Sequence, residues 1–248
     1  MKEYTCSQER FLKDTEKHTM EIVRNDGVNR HLRFKAPGTS CYWFDILTWG
    51  GVLCVNGDCG TYVFSRTSDM FEFFRSRNWT DKGPDVLDIN PQYWAEKIQA
   101  APKDRGVDQF SETQFTQAVK EYYDQHYAEE IAVEQDWVRT AQEDECPLEP
   151  KVVTLMEEQA ATRAEVWDEI ESDILCYASS NCENDAMTAL NDFRHESESG
   201  KFVFYEDMER FYGCKEFTHG YIWNCYAVIW AIKQFDAMFP DLIKPCKE

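Results

Sequence analysis

The sequence lacks any long apolar run. Its longest apolar stretch without a charged side chain, Tyr221 to Ile232, has twelve residues, whereas about twenty are needed to cross a bilayer. The first ten residues also lack the apolar segment that a secretory signal requires. These absences predict a protein that does not associate with membranes and is located in the cytoplasm.

Compact catalytic and metal-binding motifs are absent as well. The five histidines belong to no G-x-S-x-G, H-E-x-x-H or kinase pattern. The ten cysteines are scattered and include no C-x2-C pair, whereas structural zinc sites usually contain two such pairs. We therefore predict no catalytic residue, no metal, no cofactor and no enzymatic activity. A metal site built from Cys214, His219 and Cys225, or a redox-sensitive cysteine pair, is the alternative.

Two isolated residues keep acid–base chemistry open as an alternative. Asp45 follows the aromatic run Tyr42 to Phe44, and a carboxylate among apolar side chains is a candidate for proton transfer. The same pattern fits an alternating strand on which Asp45 faces solvent. His126 falls on the apolar face of a predicted helix, where a packed histidine is more common than a general base.

What the sequence does contain is a strongly acidic middle. Residues 101–210 hold 9 Lys and Arg against 28 Asp and Glu, a net charge of −19. Residues 1–100 carry −1, and residues 211–248 are neutral. A negatively charged surface repels nucleic acid and attracts basic partners. The few basic residues of the N-terminal region cannot reverse that field, so we predict no direct nucleic-acid binding.

The first hundred residues predict a small antiparallel sheet. Asp26-Gly27 lies between two strand-like segments, Met20 to Arg24 and His31 to Lys35, and this dipeptide is typical of a hairpin turn. Further strand candidates follow on each side of Gly50-Gly51 and after the turn-rich Asn56-Gly57-Asp58.

Capping residues predict helices in the same region. Thr5 and Ser68 have the character of N-caps, and Asn90-Pro91 begins a helix whose buried side reaches Ile98. Lys82-Gly83-Pro84 predicts a break in the chain.

The acidic middle is predicted to be helical. A capping box at Ser111 precedes apolar residues at helical spacing as far as His126. From Lys151 to Ala178 a second stripe predicts a long amphipathic helix; its members are Val152, Met156, Ala160, Arg163, Trp167, Ile170, Ile174 and Tyr177. The other faces of this helix hold carboxylates that few basic residues neutralise. We predict that six of them bind a partner: Glu157, Glu158, Glu165, Asp168, Glu169 and Asp173.

The resulting fold class is α+β, with a small N-terminal antiparallel sheet and helices, an extended acidic helical region and a buried C-terminal helix. Residues 1–100 form the N-terminal domain and residues 101–210 the acidic region. Residues 211–248 form a hydrophobic helix, because Tyr221 to Phe239 is apolar nearly all round. We expect this helix to pack on the core or in an interface between copies of the chain, which predicts a homo-oligomer.

One stretch of the N-terminal region resembles a known group of proteins. The sequence from His31 to Trp49, continuing through Gly60 to Arg66 and Met70 to Arg75, is similar to phage- and prophage-encoded proteins that mostly have no assigned function. This family is identified as including the phage inhibitors of the Gabija anti-phage system. The resemblance implies a non-enzymatic protein of the host bacterial cytoplasm, which binds a nuclease–helicase defence complex and prevents it from engaging DNA.

Three readings of the function follow. The first is this anti-defence inhibitor, acting through its acidic surface. The second is a phage metabolic or DNA-modifying enzyme that uses the aromatic N-terminal domain around Asp45. The third is a structural phage protein, in which the acidic helices form only a solvated exterior.

Overall fold

The computed structural model describes residues 4–75, 85–179, 182–197, 200–204 and 208–242. The predicted break at Lys82-Gly83-Pro84 lies outside these residues. The helices are α1 Gln8–Asp14, α2 Met70–Phe74, α3 Pro91–Ala95, α4 Glu112–Glu143, α5 Pro150–Ile170, α6 Cys176–Ser179, α7 Glu183–Asp192, α8 Glu209–Tyr212 and α9 His219–Met238. The strands are β1 Thr19–Asp26, β2 Asn29–Lys35, β3 Phe44–Trp49, β4 Val52–Gly57, β5 Gly60–Ser65, β6 Ile98–Ala100, β7 Asp108–Phe110, β8 Arg194–Ser197, β9 Gly200–Val203 and β10 Lys215–Phe217.

The chain folds into two units, one of which is inserted in the other. Residues 1–109 and 216–248 form the first unit, and residues 110–215 form the second. The predicted third segment, residues 211–248, therefore contributes its helix α9 to the first unit. The predicted α+β class is confirmed.

The first unit is built on an antiparallel sheet of strands β1 to β6 in sequence order. Its first two strands form the predicted hairpin, although the strands extend to Asp26 and Asn29. At the turn between β3 and β4, Gly50 and Gly51 have φ angles of 45° and 84°. Glycine adopts this conformation without the steric cost of a Cβ.

Some predicted helix starts are displaced. Ser7 caps α1 in place of Thr5, and Asp69 caps α2 in place of Ser68, because their side chains accept the hydrogen bonds from the first turns. Asn90 caps α3 as expected, but that helix ends at Ala95, and Ile98 belongs to strand β6 instead. Strand β6, at the edge of the sheet, therefore contains Ile98, which the sequence pattern had assigned to the helix.

The core of the first unit lies between one face of the sheet and α9. Residues of β2 to β5 that share this face are fully buried; they include Leu32, Phe34, Phe44, Ile46, Val55, Tyr62 and Phe64. Gly220 brings α9 close to the sheet, since a Cβ there would lie 2.8 Å from the carbonyl oxygen of Cys59. Asn224 donates to that same oxygen at 3.0 Å. The apolar surface of α9, on which the prediction of a homo-oligomer rested, is therefore used within the first unit, and the oligomer stays a prediction.

A buried ion pair fixes α2 to the sheet. Arg30 donates to both carboxylate oxygens of Asp69, at 2.8 and 3.0 Å, and its guanidinium lies 4.5 Å from the centre of the Phe71 ring. Burial by itself raises the pKa of Asp69, but the hydrogen bonds and charge of Arg30 outweigh it and hold that pKa below its usual value.

We expect Asp69→Asn to lower the free energy of unfolding by about 2 kcal/mol at neutral pH, because asparagine keeps the helix cap but removes the charge that faces Arg30. The folded-state pKa of Asp69 is lowered, so its contribution is present above the ordinary aspartate pKa and lost as the pH falls through the folded value. Urea denaturation at a series of pH values measures both effects. Asp26→Asn, in an exposed pair with Arg24, is the control and should change stability by less than about 1 kcal/mol.

The second unit is built around the α4–α5 helix pair. Its buried residues come from α4 to α8, the hairpin of β8 and β9 and their connections; they include Phe115, Val119, Tyr123, Val166, Ile170, Ile174, Leu190, Phe202, Phe204 and Phe211. Tyr123 donates to the carbonyl oxygen of Arg163 at 2.7 Å. Ser111 caps α4 as predicted.

The apolar stripe predicted for residues 151–178 is partly wrong. Ala160 and Tyr177 are exposed, whereas Val166 and Ala178 are buried. For Tyr177 and Ala178 the cause is a π-helical turn at Glu171–Leu175, which joins α5 to α6. A step of four residues drifts around an α-helix of 3.6 residues per turn, and a wider π turn absorbs that drift. Val166, Ile170, Ile174 and Ala178 therefore stay on one buried line.

Candidate functional site

Nearly all of the net charge belongs to the second unit. Residues 110–215 contain 8 Lys and Arg against 26 Asp and Glu, a net charge of −18. The first unit, with 18 against 20, carries −2. The division found in the structure therefore separates a nearly neutral unit from a strongly acidic one.

Four of the six predicted carboxylates form one exposed surface on α5, here called the acidic face: Glu157, Glu158, Glu165 and Asp168. Successive residues of an α-helix are rotated by about 100°, which places all four on the side of α5 opposite the buried Val166 and Ile170. All four are exposed. Among the described residues, none of these carboxylates has a hydrogen-bond or ion-pair partner. The structure thus brings these four together.

The remaining two predicted carboxylates have other partners. Glu169 is half-buried, and its Oε2 atom lies 2.8 Å from Nδ1 of His195. Asp173 lies in the π-helical turn and accepts a hydrogen bond of 2.8 Å from Ser172. Glu169 and Asp173 therefore do not belong to the acidic face.

Five basic side chains of the second unit are held by carboxylates of the same unit. Arg163 on α5 donates to both oxygens of Glu134 at 2.9 Å and also to Glu130. Further pairs join Arg210 to Glu121, Lys120 to Asp124, Arg139 to Asp136 and Lys201 to Glu196. Because these five cations are engaged elsewhere, they do not neutralise the acidic face.

A pocket of about 160 Å³ lies within the second unit, and we call it the histidine pocket. Its lining residues are His126, Tyr127, Glu130, Gln159, Thr162, His195, Ser197, Gly200, Lys201 and Phe202. His195 is 7 % exposed, and its Nε2 atom is buried without a hydrogen-bond partner among the described residues. The same holds for Oε1 of Gln159. Both atoms are enclosed by the surrounding side chains of the second unit.

Sequence reasoning missed this pocket. His195 lies 26 residues from Glu169, on the strand β8 that was not predicted, and no local pattern joins the two. His126, predicted as a packed residue, is exposed on one side and contacts the rings of Tyr127 and Phe202 at centroid distances of 4.7 Å. Burial lowers the pKa of His126, and the nearby Glu130 charge opposes that shift.

Asp45 is held in an ion-pair cluster on the sheet. It is buried; its two oxygens accept from Arg33 at 3.1 Å each, and one of them lies 2.9 Å from Nε2 of His31. Arg33 and Asp45 are direct cross-strand partners in the β2–β3 register. A carboxylate so fully occupied acts as a link between strands, and nothing in its geometry favours the enzymatic alternative.

The cysteines give no sign of a metal site in the described part of the chain. In the ranges that the structure describes, no three His, Cys, Asp or Glu side chains come close enough to hold a metal ion. Burial raises the pKa of Cys6 to about 11 and that of Cys59 to about 12, which keeps both thiols protonated and unreactive.

Comparison with protein-family models, with curated proteins and with solved structures finds no match. Of the helices in the described ranges, none has both the length and the apolar character that a membrane span needs.

Proposed function

We propose that this protein is an inhibitor that binds a basic, DNA-handling enzyme through the acidic face of its second unit. The target class is the one that the sequence resemblance implies, a nuclease–helicase complex of the Gabija anti-phage system in a bacterial host. Bound to the basic surface of such an enzyme, the carboxylates would occupy positions that DNA phosphates need. Inhibition would then need no chemistry by the protein itself.

The observation that carries this proposal is the concentration of uncompensated negative charge on a rigid helix. The second unit carries −18 of the total −20, and the four carboxylates of the acidic face are exposed and unpaired among the described residues. Like charges on one helix face repel each other and reduce the stability of the helix. A partner surface rich in Lys and Arg removes that repulsion and steers association.

A binding measurement tests the proposal. The purified protein is mixed with a purified Gabija nuclease–helicase complex, and the dissociation constant is measured by interferometry from about 0.05 to about 0.5 M salt. Association should weaken as salt rises, because exposed charges are screened over distances of roughly 10 Å at 0.1 M. DNA should compete with the protein for the complex. Absence of association at every salt concentration would overturn the target.

Charge reversal tests the surface. We expect the variant Glu158→Lys, Glu165→Lys, Asp168→Lys to bind the complex about tenfold more weakly or worse, because three attractive charges become repulsive. The matched control is Glu129→Lys, Glu143→Lys, Asp144→Lys, which makes the same charge change at exposed positions on α4 and its C-cap. Equal weakening by both variants would show that net charge acts without a defined surface.

A further inference from the structure

The part of the α4–α5 pair nearest the connection between the two helices buries no apolar side chain. Residues 124–165 all belong to the described ranges, and the one buried side chain among them is that of Glu134, which faces Arg163. Val133 and Leu155 are instead 49 % and 42 % exposed. Helices in proteins gain most of their stability by packing an apolar side against other elements. Among the described residues, this part of the pair has apolar side chains that no such packing buries.

On α4 these side chains continue a side of the helix that is covered nearer its start. Phe202 of β9 packs against the ring of His126, at a centroid distance of 4.7 Å. Val133 lies seven residues after His126 and Trp137 lies eleven after it, spacings that return a residue to the same side of an α-helix. The exposed Val133 and the half-buried Trp137 therefore extend that side beyond its contact with β9.

On α5, Leu155 faces in the same direction. Thr162 lines the histidine pocket together with His126 and Phe202, so it lies on the side of α5 that borders the same groove between the helices. Leu155 lies seven residues before Thr162, again on the same side of its helix.

The register of the two helices brings these residues to one level. Tyr123 and Trp167 are in contact, at a centroid distance of 5.1 Å. The helices run in opposite directions, and Leu155 lies twelve residues before Trp167. It is therefore opposite the position twelve residues after Tyr123, which lies between Val133 and Trp137. We call Val133, Trp137 and Leu155 the distal surface.

The charge around the distal surface favours a basic partner over a second copy of the chain. Residues 128–160 hold 2 Lys and Arg against 10 Asp and Glu, a net charge of −8. Two copies that met here would bring two such charges together, and like charges repel. Glu158 of the acidic face lies three residues after Leu155 and is its neighbour on the helix. A partner with positive charges beside an apolar stripe complements both features.

The geometry favours an α-helix as that partner. From Val133 to the end of α4 at Glu143, the helix advances about 15 Å, which is the length of roughly three helical turns. Amphipathic helices bind in apolar grooves through side chains spaced three and four residues apart. A third helix would give the exposed apolar side chains of the pair the packing that they lack.

From these observations we propose that the distal surface binds a basic amphipathic α-helix of a protein partner. The apolar stripe of that helix packs on Val133, Trp137 and Leu155, and its Lys and Arg side chains face Glu158 and the carboxylates around it. The assignment of this helix to the inhibited enzyme rests on the proposed function. The binding of such a helix to the distal surface does not.

The test uses the full-length protein and three fluorescently labelled peptides of about sixteen residues, long enough to form a helix. The first is built from Leu, Ala and Lys, with its leucines on one helix face. The second has the same composition in an order that spreads the leucines around the helix, and the third replaces each Lys of the first by Glu. Fluorescence anisotropy at about 0.1 M salt should give a dissociation constant of about 10 μM or lower for the first peptide. The second should bind about tenfold more weakly and the third not at all. Equal affinity of the two basic peptides would overturn the proposal, because charge alone would then explain binding.

Variants locate the surface. Val133→Ser with Leu155→Ser should weaken binding of the first peptide about fivefold or more, because two apolar contacts are lost. The matched control is Val23→Ser with Met238→Ser, at apolar positions of the first unit that are 49 % and 55 % exposed; it should bind as the unaltered protein does. Circular dichroism shows which variants fold, and Leu155→Ser alone decides the question if the double variant does not. Unchanged binding by the folded variant overturns the proposal.

Further measurements identify the occupant. If sedimentation shows a dimer of the unaltered protein that Val133→Ser with Leu155→Ser abolishes, a second copy occupies the distal surface and the choice of a basic helix is wrong. If this variant binds the first peptide weakly but the Gabija complex normally, the helix does not come from the enzyme.

The two proposals can also fail separately. Failure of the first peptide to bind, with salt-sensitive association of the enzyme complex intact, would overturn the distal surface alone. Binding of the peptide without any association of the complex would overturn the proposed function and leave the distal surface.

Discussion

Trp223→Ala is expected to lower the free energy of unfolding of the first unit by about 3–5 kcal/mol, the range found when a large buried aromatic is truncated. Trp223 is fully buried on α9. Its ring contacts that of Phe11 on α1 at a centroid distance of 5.0 Å and that of Phe44 on β3 at 5.6 Å. The substitution therefore leaves a cavity where two helices and the sheet meet.

Urea denaturation followed by circular dichroism measures this effect, and the control is Trp49→Ala. Trp49, at the end of β3 in the same unit, is 48 % exposed, so its loss should change stability by less than about 1 kcal/mol. Equal losses for the two tryptophan variants would contradict the position assigned to α9 in the core.

Arg163→Met is expected to destabilise the second unit by about 3 kcal/mol or more. The side chain of Arg163 is 13 % exposed and that of its partner Glu134 is 11 % exposed, so the substitution leaves a carboxylate buried without its counter-charge. Methionine preserves much of the packing of the arginine stem, and this isolates the loss of charge. Thermal unfolding measured by calorimetry gives the change in stability.

Two further variants separate charge from packing at Arg163. Adding Glu134→Gln to Arg163→Met should recover part of the loss, because the neutral amide costs less to bury than an unpaired carboxylate. Arg139→Met removes an exposed ion pair with Asp136 on α4, with side chains 69 % and 57 % exposed, and should cost less than about 1 kcal/mol. No recovery in the double variant would show that packing alone accounts for the role of Arg163.

Local patterns predicted most of the elements, and long-range contacts account for what was missed. The hairpin at Asp26-Gly27 and the cap at Ser111 depend on neighbouring residues, so spacing and turn chemistry are enough to predict them. The burial of Ala178 in place of Tyr177 follows a π-helical turn at Glu171–Leu175, which a fixed helical period does not include.

The candidate sites also contain a part that local patterns predict and a part that depends on long-range contacts. Exposure of the four carboxylates on the acidic face follows from the helical period of α5 and was predicted. The pairing of Glu169 with His195 depends on how the β8–β9 hairpin packs against α5. A single sequence does not show that these two residues meet. Arg30 and Asp69, 39 residues apart, were missed for the same reason.

The insertion of the second unit into the first sets the order in which the chain can fold during synthesis. The ribosome completes β1 to β6, then all of residues 110–215, before it delivers α9. Until then the apolar face of the sheet, with Phe34, Phe44 and Tyr62, lacks the helix that buries it. By contrast, all residues of the second unit have been synthesised before α9. The exposed sheet face is therefore the most aggregation-sensitive surface of the nascent chain, and the highly charged segment that follows it helps to keep that intermediate in solution.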